Sequence, residues 1–370
     1  LSKVKELIEA FPRTNSECHD ILANCHMVEF LTEKHWERLL PGSLRETLDG
    51  LELIEAIEQF WNAAEGQEST GNLVKYPISS QVQTMSRLVA SLHSACGATH
   101  CVEAGGGRGH LPVALCLAYG VRSLTVDCDA AQVHKAPGRI QIIQVCYQVN
   151  RQGRRLRGCS GARAPMRNKQ WVPSLHTCGN LGPDSLRIFC SQPSTAAVFN
   201  VPCCYHLIFR RIIYFTYFDV SLAELFFFSG YNLGRNARML AAQSIDRVVS
   251  QRQLPSTSLL YRALLQLKRI TPKCQTFQQY FKMADDILKL ELYDSLPDNY
   301  FTDIHKTMDC QWKKLVLFYL LRLCLAQVVE SLILLDRLMF LFENGFENVY
   351  LVKLFDPVLS PRCHSIVAVR

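Results

Sequence analysis

The 370 residues contain no run of about 18 or more nearly uncharged apolar side chains, the minimum for a bilayer-spanning helix. The most apolar segments are broken by charge, 207–231 by Arg210, Arg211, Asp219 and Glu224 and 315–342 by Arg322, Glu330, Asp336 and Arg337. A membrane partner is therefore not expected. Also missing near the N-terminus is a charged segment followed by a short apolar run of the secretory kind, so reduced thiols and a cytoplasmic or nuclear setting are expected. The 16 cysteines fit that expectation, being scattered through a long chain and including the adjacent pair Cys203 and Cys204. CxxC and HxxxH spacings, the usual marks of a structural metal site, are absent as well. Acid is lacking over 130–183, where Lys135, Arg139, Arg151, Arg154, Arg155, Arg157, Arg163, Arg167 and Lys169 stand without an Asp or Glu. The net charge of +7 comes from this tract, and the remainder is slightly acidic.

What is present suits a folded core. With 48% hydrophobic, 10% aromatic and 20% charged residues, the chain is neither disordered, collagenous nor a disulfide-stapled miniprotein. Spacings of three and four among Val4, Leu7, Ile8 and Phe11, and again from Leu48 to Trp61, predict helices over 1–62. Ser43 and Glu46 stand at capping-box spacing after Pro41 and Gly42. The polar run 65–72 reads as a linker. After a helical pattern over 82–92, short apolar runs predict strands at 99–103 and 123–127 flanking a helix at 112–118, which makes a parallel β-α-β unit with right-handed crossover. Further strands are expected at 140–149, 173–178 and 196–201. Helices follow by period at 235–250, 257–268, 277–292 and 313–343, and a strand pair, 347–355 with 364–369, closes the chain around the turn DPVLSPR.

EAGGGRG, residues 103–109, is the strongest local signal. It follows a predicted strand and precedes a helix, and Gly105, Gly107 and Gly109 let the backbone turn sharply while a ligand approaches the free N–H groups of the next helix. A dinucleotide loop reads GxGxxG, but here the third glycine comes one residue early, which favours S-adenosyl-L-methionine over NAD. Asp127, at the tip of the second strand, is placed to accept from both ribose hydroxyls. Asp129 is an alternative for that role, or a helix cap.

A second constellation joins LHTCGNL, 175–181, to PCCYH, 202–206. His176 with Cys178, and Cys204 with His206, each stand two apart and share a strand face, so the two segments can bring a Cys/His cluster to the carboxyl edge of the sheet. Zinc is one reading of such a cluster, but without CxxC or HxxxH spacing no metal is assigned, and small cysteines packed beside a glycine turn are the expectation for Cys203 and Cys204. The arginine-rich stretch 151–169 reads either as a phosphate-tracking segment or as a solvated loop. The aromatic run 210–228 is expected to be core rather than a partner surface.

These motifs resemble the methyltransferase-like protein 25 family. The likeness rests on EAGGGRGHL (103–111), LHTCGNL (175–181), CCYH (203–206), RNARMLAAQS (235–244), YRALLQ (261–266), LLDRL (334–338), LFDPVLSPRC (354–363) and the helical FLTEKHWERL (30–39). The resemblance implies an α/β, Rossmann-like class I methyltransferase fold, a mostly parallel seven-stranded sheet with an antiparallel C-terminal hairpin. Residues 1–72 would form a helical accessory region and 73–370 the methyltransferase-like domain, with 136–170 an atypical basic segment and 251–312 a helical insertion. It further implies S-adenosyl-L-methionine bound by Glu103, Gly105, Gly107, Gly109 and Asp127, with His176 and Asn180 serving the methyl acceptor. Asn180 stands where the family carries an acid. The HxCG and CC-x-H pair is also similar to motifs in a family of tRNA ribose 2'-O-methyltransferases, which directs the expected acceptor towards RNA, with protein as the other class and DNA not expected. The competing expectation is an inactive interaction protein that keeps the fold.

Overall fold

The computed structural model describes residues 23–65, 78–107, 109–127, 170–208, 233–252, 254–265, 274–297 and 299–370. The expectations for 1–22, for the linker 66–72, for Asp129, for a strand at 140–149, for the basic stretch 151–169 and for the aromatic run 210–228 lie outside these residues. Two compact units appear. One holds the described residues of Asn72–Gly230 with Glu330–Arg370, and the other those of Pro12–Gly71 with Tyr231–Val329.

The first unit is a layered α/β structure. Its sheet runs β2 (Ser123–Val126), β1 (His100–Ala104), β3 (Gln170–Cys178), β4 (Thr195–Cys203), β6 (His364–Val369), β5 (Asn348–Lys353). The first four strands are mutually parallel, and β6 pairs antiparallel with both β4 and β5. The expected C-terminal hairpin is present. Six strands are found among the described residues where seven were expected. β4, TAAVFNVPC, is buried at all nine positions, as a strand must be when helices cover both faces of its sheet. Its side chains alternate between two cores. Ala197, Phe199 and Val201 pack with Met85 and Val89 of the helix Ile78–Ala95 and with Leu111 and Leu115 of the helix His110–Tyr119. Val198 faces the other way, onto Leu186 and Phe189 of the helix Leu181–Ser191 and onto Leu334, Leu338 and Leu341. Each such apolar side chain contributes about 1.5–3 kcal/mol when fully removed from water.

The second unit is helical, built on the aromatic core of Phe30, Trp36, Tyr261, Phe277, Tyr280 and Phe318. Three expectations are corrected here. Ser43 is not the cap: the helix Gly42–Gly50 starts two residues earlier, with Pro41 in the cap position, and the Ser43 carbonyl accepts from Thr47 Oγ1 at 2.9 Å. The helix expected over 235–250 is two, Arg235–Leu240 and Ile245–Ser250, because Ser244 leaves the helical conformation and its side chain accepts from the Arg247 N–H. The last predicted helix is longer, Tyr300–Glu343. By length and composition its stretch Met308–Glu343 is apolar enough to cross a membrane, contrary to the reading of its charges, although 56% of its most apolar window is buried inside the protein.

Candidate functional site

Because β1 leads outward to β2 on one side and β3 to β4 on the other, the connections reverse direction between β1 and β3. That switch point, at the carboxyl ends, is where open α/β sheets form a crevice for ligands. EAGGGRG occupies it. Gly105, Gly107 and Gly109 all have left-handed backbones, with φ of 73°, 54° and 72°. At Gly107 the positive φ is steered by a contact: its N–H donates to Asp127 Oδ2 at 2.8 Å, tying the turn after β1 to the tip of β2. Asp127 is half-buried.

Gly106 explains what lies beneath. A Cβ there would collide with Thr125 Oγ1 and the Glu103 carboxylate, so the turn is seated directly on those side chains. Among the described residues, a Cβ on Gly107 would meet only Asp127 Oδ2, at 4.0 Å. Glu103 is 4% exposed and accepts from Thr125 Oγ1 at 3.3 Å. Burial drives its pKa up to about 8, and the nearby Asp127 charge pushes the same way against the Thr125 hydrogen bond. The floor of the turn is therefore a largely neutral carboxylic acid at neutral pH. Thr125 and Gly106 were not singled out from sequence, although Gly106 stands inside the motif.

The second constellation sits on β3 and β4. Register places Cys178 opposite Cys203, and Thr177 opposite Pro202. Asn200, completely buried in an otherwise apolar strand, holds the segment that follows β3. Thr177 Oγ1 donates to Asn200 Oδ1 at 3.0 Å, and Asn200 Nδ2 donates to the Gly182 carbonyl at 2.7 Å and to Ser185 Oγ at 2.6 Å. Between these anchors Gly179 has φ 57° and the Leu207 carbonyl oxygen 2.9 Å from where a Cβ would be, so only glycine fits. Asn180 is thereby presented, exposed, at the start of the helix Leu181–Ser191. His176 lies on β3, but its side chain is outside the described ones. Asn200 was missed, although a lone amide within AAVFNV is a readable signal.

Cys178, Cys203 and Cys204 bring their sulfurs within 4.8 Å of one another, with Cys178 and Cys203 Sγ 3.0 Å apart. The Cys178 thiol is held down to about 6, first by the hydrogen bond from Cys203 and then by Cys204 and the Arg362 charge, against its own partial burial. Cys203 is pushed up in turn by its hydrogen bond to Cys178, and burial raises Cys204. The charge of the group therefore rests on Cys178. Strand alternation in the sequence paired His176 with Cys178 and Cys204 with His206, so Cys203 joins the cluster from outside those pairs. Behind the thiols Tyr205 is fully buried, donates to Glu330 Oε1 at 2.9 Å and lies beneath the guanidinium groups of Arg337 and Arg362, 5.7 and 6.0 Å from its ring centre.

Residues 77–211, which hold the glycine turn and the acid on the neighbouring strand, match the family described as a methyltransferase domain. Beyond the class, the chain is similar to "Probable methyltransferase-like protein 25" of Mus musculus, 37% identical over 221 residues that cover 53% of this chain and 36% of that protein. It is likewise 35% identical over 223 residues to the protein of the same name from Homo sapiens, with the same coverage. The resemblance drawn from the motifs is borne out. The chain spans about a third of the length of these curated relatives. No solved structure matches it.

Proposed function

We propose that the chain is an S-adenosyl-L-methionine-dependent methyltransferase of the class I, Rossmann-like kind, acting on RNA in the cytoplasm or nucleus. The observation that carries this is the bond from the Gly107 N–H to Asp127 at the switch point, which fixes a side-chain-free turn beside a carboxylate. These residues fit the cofactor: a backbone surface without Cβ atoms suits close approach, and a carboxylate at the tip of β2 suits two ribose hydroxyls. Glu103, Gly105, Gly107, Gly109 and Asp127 would hold it.

When bound, S-adenosyl-L-methionine supplies a methyl group on a positively charged sulfur that is already a good leaving group. The chain's own work is then alignment and exclusion of water. Glu103, neutral and buried, supports the turn without adding a second charge next to Asp127. Asn180, held out by the Asn200 network, orients the acceptor, and His176 on β3 takes its proton, imidazole being the side chain whose ordinary pKa lies near neutrality. RNA as acceptor is supported by the acid-free basic tract and by the HxCG and CC-x-H motifs.

Calorimetric titration with S-adenosyl-L-methionine tests the reading. Micromolar binding that Gly107→Arg abolishes is the expected result. Absence of binding at millimolar ligand would sink it and leave an inactive interaction protein. RNA retention that weakens steeply with salt supports the acceptor class, while a flat salt dependence removes it.

A further inference from the structure

We infer that Cys178, Cys203 and Cys204 form a three-thiolate site for a single zinc ion at the carboxyl ends of β3 and β4. Their sulfurs lie within 4.8 Å of one another, which a single ion can bridge after small side-chain rotations. The backbone is shaped for this convergence. Consecutive residues of a strand point to opposite faces, so Cys203 and Cys204 would normally diverge. Cys204 instead adopts φ 48° and ψ 45°, a left-handed conformation that disfavours any residue with a Cβ by on the order of 1 kcal/mol, and this turns its thiol to the side of Cys203. Packing alone does not require such a turn. Register then supplies the third ligand, since Cys178 is the parallel-strand partner of Cys203.

Charge points the same way. Three thiolates around a divalent cation carry one net negative charge, and Arg362 is close enough to act electrostatically on both Cys178 and Cys204. Thiolate sulfur and no carboxylate selects a soft, thiophilic ion over magnesium or calcium. On binding, three Zn–S bonds form, protons still on sulfur pass to buffer, and no atom changes oxidation state. Among the described residues three ligands converge, which leaves a fourth position for water or substrate, the arrangement of zinc sites that do chemistry rather than brace a fold. It sits one residue from the Gly179–Asn180 turn.

The site does not depend on methyl transfer, so its test is separate. The full chain, purified with a non-thiol reductant, is loaded with zinc, freed of excess and analysed by elemental mass spectrometry, and cobalt is substituted to read thiolate-to-metal charge transfer and tetrahedral d–d bands. One zinc per chain is expected, together with protection of three thiols from alkylation and loss of more than tenfold in affinity in Cys178→Ser and Cys204→Ser. Cys190→Ser, on the helix Leu181–Ser191, retains the ion. If a serine variant fails to fold, the alkylation pattern of the unaltered chain with and without zinc decides alone. No stoichiometric metal, a cobalt spectrum without thiolate bands, or three equally reactive thiols in the presence of zinc overturns the proposal. So does a Cys178–Cys203 disulfide that forms in the reduced, zinc-loaded protein.

Discussion

The carboxyl ends of β1 and β2 and those of β3 and β4 share one edge of the sheet but are built from different materials. The first pair makes its surface from backbone: a left-handed glycine turn, tied by one amide to Asp127 and set on a neutral Glu103. The second makes its surface from side chains that arrive from far apart in sequence, such as Asn200 across from Thr177 and Tyr205 on Glu330. A backbone surface tolerates changes around it but no added Cβ. A side-chain surface tolerates added atoms at its rim, yet fails when one buried member is deleted.

Substitutions separate the two, beginning with the largest effect. Gly107→Arg places a long side chain on the turn, so S-adenosyl-L-methionine affinity measured by calorimetry should fall by more than about a hundredfold, roughly 2.7 kcal/mol, while the left-handed backbone at Gly107 costs the fold about 1 kcal/mol. Asn200→Leu removes the amide shared by Thr177, the Gly182 carbonyl and Ser185, leaving Thr177 bonded to the Val201 carbonyl alone and Gly182 to Ser185 alone. Chemical denaturation should show a loss of about 1–3 kcal/mol, and an unchanged midpoint would refute the role given to that amide.

Glu103 sharpens the comparison through pH. Its carboxyl is protonated in both folded and unfolded chains below its ordinary value of 4.5. Between there and about 8 the unfolded chain sheds the proton and the folded one keeps it, so this group lowers stability as pH rises through that window, after which the effect levels off. Glu103→Gln should therefore match the parent near pH 5 and exceed it by on the order of a few kcal/mol near pH 8 in denaturant titrations. Equal curves at both pH values would mean the carboxyl is ionised. Smallest is Asp127→Asn: the amide can still accept from Gly107 but without charge, so about 1 kcal/mol of stability is lost, whereas affinity for a ribose diol drops further, as competition with adenosine would report.

The backbone half was the more legible. EAGGGRG between two apolar runs announced strand, turn and helix, and β1 (His100–Ala104) falls within one residue of its expected range. The C-terminal hairpin was read from DPVLSPR and its flanking strands in the same way. Such signals are local, since glycine spacing and alternation act over a few residues. The side-chain half obeys no local period. Tyr205 and Glu330 are 125 positions apart, and neither alone indicates its partner. Cys203 was read as a packing residue outside the cluster because strand alternation assigns it to the face opposite Cys204, and the left-handed backbone at Cys204 overrides that rule. The broken helix at Ser244 was lost for a related reason, as a hydroxyl that satisfies a nearby N–H competes with the helical period.

The Asn200 amide has one more consequence. Segments that link a strand to a helix ordinarily open by themselves, long before the rest of a domain lets go. Here both flanks of 178–181 are fastened to an amide in the middle of the sheet, so the segment cannot lift away while β4 stays in place. Proteases that cut only opened chain will therefore reach this exposed bend on the slow clock of the whole sheet, which gives it the lifetime of the interior.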